Sequence, residues 1–132
     1  MSADTSFPQW LAPAIEGLVS GDLDAWMDVY ADDAVHEFPF AAPGAPQRLE
    51  GKEAIERFMS DIAGRIRFGT FSDVRVRETG DEVVIEAEGH HWDAATDDPF
   101  DLRYVWIITR RDGRVTRLRD YMGPRRGRNE DN

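Results

Sequence analysis

The segment FDLRYVWIITRRDGRVTRLRDYM, residues 100–122, decides the fold class, because it has the pattern of two long strands and the turn between them. Before the turn, large apolar side chains recur at every second position, and their face consists of Phe100, Leu102, Tyr104, Trp106 and Ile108. Successive side chains of a strand point to opposite faces, so this aromatic face is predicted to look inward. Asp112-Gly113 is typical of a two-residue hairpin turn with positive φ, and it joins this strand to the next over residues 114–122.

Two further strands are predicted upstream, over residues 71–78 and 82–92, with Thr79-Gly80-Asp81 as their turn. The first half of the chain shows instead the three- and four-residue spacing of amphipathic helices. Three apolar helix faces are indicated there: Leu11, Ile15, Leu18 and Val19; Leu23, Trp26, Met27 and Tyr30; and Ile55, Phe58, Met59, Ile62 and Ile66 within residues 52–66. A short strand over residues 34–38 and a proline-containing loop over residues 40–50 precede the third helix. Helices and strands thus occupy separate halves of the chain, which predicts an α+β domain.

The composition excludes several classes of protein. The 132 residues fit one domain, and the lack of cysteine excludes disulfides, thiolate catalysis and thiolate metal sites. A formal net charge of −10 opposes binding to nucleic acid and to anionic lipid. The N-terminus lacks the features of a signal peptide, and no apolar run approaches the ~20 residues of a membrane span. We therefore expect a cytoplasmic protein with neither nucleic acid nor membrane as a partner.

The basic cluster Arg125-Arg126-Gly127-Arg128 lies in a polar stretch that ends Asn129-Glu130-Asp131-Asn132. It is too short, and too close to opposite charge, to indicate a nucleic-acid site. We expect the domain to cover residues 1–124 and residues 125–132 to form a flexible polar tail.

The outward face of the strand over residues 100–111 is apolar only at its middle, where Val105 and Ile107 lie. An outer face that is half apolar suggests a covered surface, most simply by another subunit. We therefore expect a homodimer.

Several motifs, taken in order, resemble the nuclear-transport-factor-2-like superfamily and its SnoaL-like branch. They are Gly21-Asp22-Leu23-Asp24-Ala25-Trp26, Tyr30-Ala31-Asp32-Asp33-Ala34-Val35, the stretches 38–44 and 49–55, and Asp112-Gly113-Arg114-Val115 followed by residues 118–124. The resemblance covers about residues 9–124. It implies a cone in which a curved, mostly antiparallel sheet wraps around the long third helix and leaves a pocket at its open end. Members include isomerases, polyketide cyclases, phenazine-biosynthesis proteins and non-catalytic interaction modules, so one fold serves many functions.

Asp120 is the first candidate for a catalytic residue. It shares a strand face with Leu118 and Met122, and a carboxyl group between apolar neighbours is suited to proton exchange near neutral pH. The phenazine-biosynthesis members resemble this sequence here, and the resemblance implies a general acid or base. The alternative is a structural carboxylate that is paired with Arg103, Arg117 or Arg119.

His36 is the second candidate. It lies on the same strand face as Phe38, so both point inward or neither does. A neutral imidazole in a pocket can donate a hydrogen bond to a ligand oxygen or move a proton. The alternatives are a hydrogen-bonded core histidine and an exposed one.

His90 and His91 leave an ambiguity. Alternation along their strand puts His91 inward and sends His90 and Trp92 outward. Because an outward tryptophan is unfavourable, Gly89 can instead mark a bulge that reverses this assignment, and the sequence leaves both possibilities open. Adjacent histidines on one strand point in opposite directions, and no His-x-His or Glu-x-x-His pair occurs, so we expect no metal site and no cofactor.

A set of aromatic residues is predicted to line a pocket for a small hydrophobic organic ligand, because aromatic walls with few polar groups describe such sites. The predicted substrate-binding residues are Trp26, Tyr30, Phe38, Phe58, His91, Tyr104 and Trp106. Ordinary core packing is the alternative for any one of them.

Three functions follow as hypotheses. The first is a cofactor-independent SnoaL-like cyclase, isomerase or lyase acting on a hydrophobic carbonyl compound, in which Asp120 moves the proton while His36 and Tyr104 orient the substrate or stabilise negative charge. The second is a small-ligand-binding module without chemistry, which an ion pair between Asp120 and an arginine would favour. The third is a dimeric protein-interaction domain, which predicts a filled interior. Steroid isomerisation is not expected, because Phe38 stands where the resemblance to ketosteroid isomerases would place the catalytic Asp.

Overall fold

The computed structural model describes residues 7–128, and one curved sheet with three helices accounts for most of them. The elements follow one another as α1 (Ala12–Ser20), α2 (Leu23–Met27), β1 (Tyr30–Glu37), β2 (Arg48–Glu50), α3 (Lys52–Arg65), β3 (Ile66–Arg67), β4 (Phe71–Thr79), β5 (Glu82–Asp93), β6 (Pro99–Arg111), β7 (Arg114–Met122) and β8 (Arg126–Gly127). The predicted α+β class is confirmed.

The sheet has the order β2-β1-β7-β6-β5-β3, with β4 paired to β5 and β8 paired to β6. All pairs are antiparallel except β1 with β7, which are parallel. The four long strands from β4 to β7 form the predicted meander, and Asp112-Gly113 turns the last hairpin with φ angles of 55° and 79°.

The inner face of the sheet packs on the helices to form the core. The side chains predicted for the inward face of β6 are all buried, with no more than 7% exposed. Helix α3 contributes Ile55 and Met59, which are buried, and Gly51 stands at its N-cap with a φ of 92°. Gly17 of α1 permits the tight corner with α2, since a Cβ there would lie 2.5 Å from the carbonyl oxygen of Asp22.

Several boundaries differ from the sequence-based expectation. Tyr30 was predicted on the second helix but begins β1, where it pairs with Val115 of β7. A five-residue helix gains little from cooperative hydrogen bonding, whereas the strand pairing satisfies the backbone over a longer stretch. Part of the predicted loop 40–50 pairs with β1 as β2, and Ile66 ends the third helix by starting β3.

The expected flexible tail over residues 125–132 is wrong for its first part. Arg126 and Gly127 form β8 and pair with Asp101 and Phe100 of β6. Their backbone groups find partners at a free stretch of β6 that β7 does not reach, because β7 pairs with β6 only from Tyr104 onward. Residues 129–132 lie outside the described part of the chain.

Candidate active site

A cavity of about 260 Å³ lies between the inner face of the sheet and helix α3. Most of its lining is apolar, and the polar or charged side chains in it are those of His36, Tyr104, Asp120 and Arg125, together with the indoles of Trp26 and Trp106. A second depression of about 540 Å³ adjoins it and is otherwise lined by the loop after β1 and by Asp61 and Arg65 of α3. The two share the lining residues Phe38, Phe58, Ile62, Asp120, Met122 and Gly123. A protein-interaction domain with a filled interior does not fit this arrangement.

Asp120 points into the cavity from β7, and only 12% of its side chain is exposed. Its Oδ1 accepts a hydrogen bond from the indole Nε1 of Trp106 at 3.0 Å, across the β6–β7 ladder in which these two residues are direct partners. Its Oδ2 lies 3.1 Å from Nε2 of His36 on the neighbouring strand β1. The sheet register therefore brings together residues that are 84 positions apart in sequence.

No arginine among residues 7–128 pairs with Asp120. The alternative prediction, an ion pair with Arg103, Arg117 or Arg119, is therefore wrong: Arg103 pairs with Asp73, and the other two guanidinium groups lie on Glu37. The physical reason is strand parity, because Asp120 and these three arginines lie on opposite faces of the sheet.

His36 is buried and connects Asp120 to Tyr30, whose hydroxyl lies 3.1 Å from Nδ1. An ionised carboxylate can only accept, so Nε2 of His36 carries the proton that it donates to Asp120. A neutral imidazole that donates from Nε2 accepts at Nδ1, and in that state the Tyr30 hydroxyl donates to it. Burial, and next the charge of Asp120, raise the pKa of Tyr30 and keep its hydroxyl protonated. The indole of Trp26 has a smaller, opposite effect on this pKa, and its N–H makes no regular hydrogen bond.

His91 forms a second buried pair with Tyr104, but its hydrogen bonds have the opposite sense. The backbone N–H of Gly69 donates to its Nδ1 at 3.1 Å, so a neutral His91 carries its proton on Nε2. Burial first, and then the positive charges of His90 and Arg128, lower the pKa of His91 to about 4, which keeps the ring neutral. Nε2 therefore donates to the Tyr104 oxygen at 2.9 Å.

The consequence is a free proton on Tyr104. Its oxygen accepts from His91, and no described residue accepts the hydrogen of its hydroxyl group. Burial and the charge of Asp120 raise the pKa of Tyr104, so the hydroxyl remains a donor. Since Tyr104 lines the cavity, this hydrogen is available to an oxygen of a bound molecule.

The structure settles the orientation of the strand around His91. His91 points inward and is fully buried, whereas His90 lies on the outer face and contacts Ser72 and Asp101. Gly89 marks no bulge, since the β5–β6 register is continuous through it. It leaves room for the imidazole instead, because a Cβ there would lie 2.3 Å from Nε2 of His91.

Trp92 lies on the outer face, as simple alternation along β5 predicted. From the sequence alone, this orientation is unfavourable for a tryptophan. The guanidinium groups of Arg67 and Arg128 lie 5.1 and 5.0 Å from its ring centroid. Cationic side chains over the indole cover its apolar surface, so no bulge is needed to hide it.

Five of the seven predicted substrate-binding residues line the cavity: Trp26, Phe38, Phe58, Tyr104 and Trp106. Both predicted catalytic residues, His36 and Asp120, line it as well. Tyr30 and His91 do not belong to the lining; each lies behind a lining residue and holds it by a hydrogen bond.

Arg125 is a charged lining residue that sequence reasoning missed. It lines the cavity, lies 4.1 Å from the ring centroid of Phe100 and contacts Asp93 through Nη1 at 3.3 Å. Its position in a polar C-terminal stretch carried no periodic signal. Only the pairing of β8 with β6 brings this arginine back to the sheet.

Among residues 7–128, no group of three or more His, Cys, Asp or Glu side chains is arranged to hold a metal ion. In the same part of the chain, none of the helices has the length and apolarity to cross a membrane.

Comparison with known proteins identifies the family. Residues 12–118 match the model of the SnoaL-like domain. An uncharacterised Bacillus subtilis protein, YesE, is 34% identical over 111 residues, which are 81% of this chain and 74% of that protein. An uncharacterised PhzA/B-like protein of Pseudomonas aeruginosa is 32% identical over 118 residues, covering 88% and 83% of the two chains.

Solved structures share the fold. A candidate isomerase from Bacillus subtilis superposes with a TM-score of 0.82 at 31% identity, over 88% of this chain and 85% of that one. More distant structures, with 20–24% identity and TM-scores of 0.70–0.72, include a candidate polyketide cyclase from Xanthomonas campestris and a protein of ketosteroid isomerase-like fold from Catenulispora acidiphila. The predicted nuclear-transport-factor-2-like fold and the resemblance to SnoaL-like proteins are thus confirmed.

Proposed function

The chain belongs to the SnoaL-like domain family, and from that premise we propose that it is a cofactor-independent isomerase, cyclase or lyase for a small hydrophobic carbonyl compound. Asp120 is its general acid or base, and Tyr104 is the donor to the carbonyl oxygen. The observation that carries the proposal is the environment of Asp120. Its carboxylate faces an apolar cavity, is held by a histidine and an indole N–H, and forms no ion pair with an arginine within residues 7–128.

The proposed chemistry begins with a proton on the carbon next to the carbonyl group. Asp120 takes this proton through Oδ2 or Oδ1, the electron pair of the C–H bond moves toward the carbonyl, and an enolate forms. The free hydrogen of the Tyr104 hydroxyl binds the enolate oxygen, where negative charge develops. Return of the proton from Asp120 to a different carbon isomerises the substrate. Loss of a leaving group, or attack on a second carbonyl, gives the lyase or cyclase outcome.

In this scheme the role of His36 and Tyr30 is to hold the carboxylate of Asp120 in place. The chain of hydrogen bonds from Tyr30 through His36 holds Oδ2, and the Trp106 indole holds Oδ1, so the carboxylate keeps one orientation. Because the base is already held next to the reacting carbon, less entropy is lost on reaching the transition state. His36 also lines the cavity, where its ring stacks on Phe38 with centroids 4.5 Å apart.

Deuterium exchange tests the proposal without knowledge of the natural substrate. 2-Tetralone is incubated with the protein in D2O, and exchange of its α-hydrogens is followed by proton NMR. Asp120→Asn should slow the protein-catalysed exchange by about 10²-fold or more, the usual contribution of a positioned general base. Asp33→Asn, an exposed carboxylate of β1, is the matched control and should exchange as the parent protein does. Equal rates for the parent protein and Asp120→Asn would remove Asp120 from the mechanism.

Ligand binding without catalysis is the second candidate function, because the apolar cavity alone can hold a small molecule. The same experiment separates the two. If 2-tetralone binds but the parent protein accelerates no exchange, the binding module is the better description.

We also propose that the protein is a homodimer. Val105 and Ile107 lie half-buried on the outer face of β6, and Ile107 is directly opposite Val84 of β5, which adds to the apolar surface. Light scattering should give twice the 15.0 kDa mass of one chain, and Ile107→Glu should reduce the mass to that of a single chain. A parent protein of single-chain mass at micromolar concentration would contradict the dimer.

A further inference from the structure

We infer that Arg125 forms a carboxylate subsite at the mouth of the cavity, so that the carbonyl substrate also carries a carboxylate group. The inference rests on the proposed function in that it places the ligand in the same cavity, where Tyr104 remains the donor to the carbonyl oxygen. Its support comes from the guanidinium group of Arg125, which lines this cavity and retains unused hydrogen-bond donors.

Arg125 is the only guanidinium group among the described lining residues of the cavity. The neighbouring arginines of β8 and the residue after it are engaged elsewhere: Arg126 bonds Glu88, and Arg128 bonds the carbonyl oxygen of His91 and pairs with Asp101. Because Arg125 is exposed, its charge stands where the cavity meets solvent. An apolar ligand body with one charged end fits this distribution.

The guanidinium is held in place before any ligand arrives. It stacks on Phe100, which is buried, and one Nη1 bond joins it to Asp93. Asp93 is itself fixed, since the backbone N–H groups of Ala95 and Thr96 donate to its other oxygen. A preorganised cation loses less side-chain freedom on binding an anion.

Most of the Arg125 donors remain open. A guanidinium has five N–H groups, and the described residues accept from Nη1 alone. The contact with Asp93 is solvent-exposed, and such ion pairs stabilise little, so a ligand carboxylate competes with it at small cost. Two parallel N–H groups of arginine match the two oxygens of a carboxylate.

Tyr104 lines the same cavity and keeps its role as donor to the carbonyl oxygen. The hydrogen of its hydroxyl group has no acceptor among residues 7–128, since His91 donates to the hydroxyl oxygen. One ligand can therefore place its carbonyl group at Tyr104 and its carboxylate at Arg125. A single guanidinium group suits a carboxylate better than a phosphate, whose additional oxygens need further donors.

Calorimetric binding of two matched probes, 2-naphthoate and the neutral 2-naphthamide, tests the inference on the full chain at pH 7. The parent protein should bind 2-naphthoate about tenfold more tightly than 2-naphthamide, as expected for one charged contact. Arg125→Gln should abolish that preference by weakening the acid alone, and Arg125→Lys should restore part of it. Arg126→Gln changes the net charge equally without touching the cavity and should leave both affinities unchanged.

Equal affinities of the parent protein for both probes would overturn the carboxylate subsite while leaving the proposed catalysis untouched. An equal loss in Arg125→Gln and Arg126→Gln would also overturn it, since that pattern reflects net charge only. Absence of binding for both probes at millimolar concentration would overturn the cavity as an apolar ligand site, and with it both proposals. Proton transfer is not required in this assay, so a protein that fails the exchange experiment can still pass this one.

Discussion

The two histidine–tyrosine pairs beside the cavity contain the same side chains but differ in the sense of their hydrogen bonds. In the first pair a neutral His36 donates from Nε2 to a carboxylate and accepts from Tyr30 with Nδ1. In the second pair His91 faces a backbone N–H with Nδ1, so it must donate to Tyr104 with Nε2. The Tyr30 hydroxyl therefore donates its hydrogen to a group of the protein, whereas the Tyr104 hydroxyl can donate its hydrogen to a molecule in the cavity.

The difference shows that the hydrogen-bond partner of one ring nitrogen determines whether the other nitrogen of a buried, neutral histidine donates or accepts. A neutral imidazole has one donor and one acceptor, and fixing either nitrogen fixes the other. Next to Asp120 the imidazole orients a base. Next to Gly69 it presents a hydrogen-bond donor.

The largest expected effect comes from removing each tyrosine hydroxyl in turn. Tyr104→Phe should slow the exchange of 2-tetralone by about 10²–10³-fold, because it deletes a donor aimed at developing negative charge. Tyr30→Phe should slow it by only about fivefold to tenfold, since it removes one neutral hydrogen bond, worth about 1 kcal/mol, that acts through His36. Steady-state rates of both variants under identical conditions provide the comparison.

Equal losses in the two variants would contradict the assigned directions of the hydrogen bonds. Circular dichroism and urea unfolding of each variant provide the control. Both substitutions leave a buried histidine nitrogen without its partner and should destabilise the fold similarly, so a difference in rate cannot come from unfolding.

A smaller effect should appear in the pH dependence of stability. The pKa of His91 is about 4 in the folded protein, mainly because of burial, against an ordinary value of 6.5. Between these values the unfolded chain binds a proton that the folded chain rejects, so stability falls as the pH decreases from 6.5 to 4 and is constant above this window. His91 alone should account for up to about 3 kcal/mol of that loss.

Urea unfolding at several pH values measures this contribution as the difference between the parent protein and His91→Gln, which cannot titrate. His90→Gln is the matched control on the same strand. It should keep most of the slope, because the charge of His90 is a smaller cause of the His91 shift than burial. A parent protein and His91→Gln with parallel profiles would contradict a neutral, buried His91.

The smallest expected effect is on stability, and it tests how tightly the His91–Tyr104 pair is packed. Gly89→Ala should lower the free energy of unfolding by about 1–3 kcal/mol, because the new methyl group overlaps the His91 imidazole and lies 2.9 Å from the Tyr104 ring. Gly64→Ala on α3 is the control: a Cβ there meets nothing within 4 Å, so it should stabilise the helix by up to about 1 kcal/mol. If Gly89→Ala unfolds at the same urea concentration as the parent protein, the pair is packed more loosely than the structure indicates.

The sequence supplied the inward face of β6, the hairpin at Asp112-Gly113 and the inward position of Asp120, because alternation and turn chemistry act over a few residues. It also supplied the apolar stripe of α3. It misplaced Tyr30, whose helical spacing from Leu23 was overridden by pairing with β7. The homodimer and a cytoplasmic location stay predictions.

The partners of the candidate residues had no local signal. Nothing near Asp120 in sequence indicated that His36 and Trp106 would hold it rather than an arginine, and nothing near Arg125 indicated a route back to the cavity. Cross-strand register and the pairing of β8 decided both.

The sequence by itself thus determined which side chains face inward, since periodicity is a property of neighbouring residues. Only the tertiary structure decided which inward groups meet and in which direction each proton points. Those contacts join strands that are distant along the chain. The tautomer of His91 depends on the backbone N–H of Gly69, which the pattern of side chains in the sequence does not indicate.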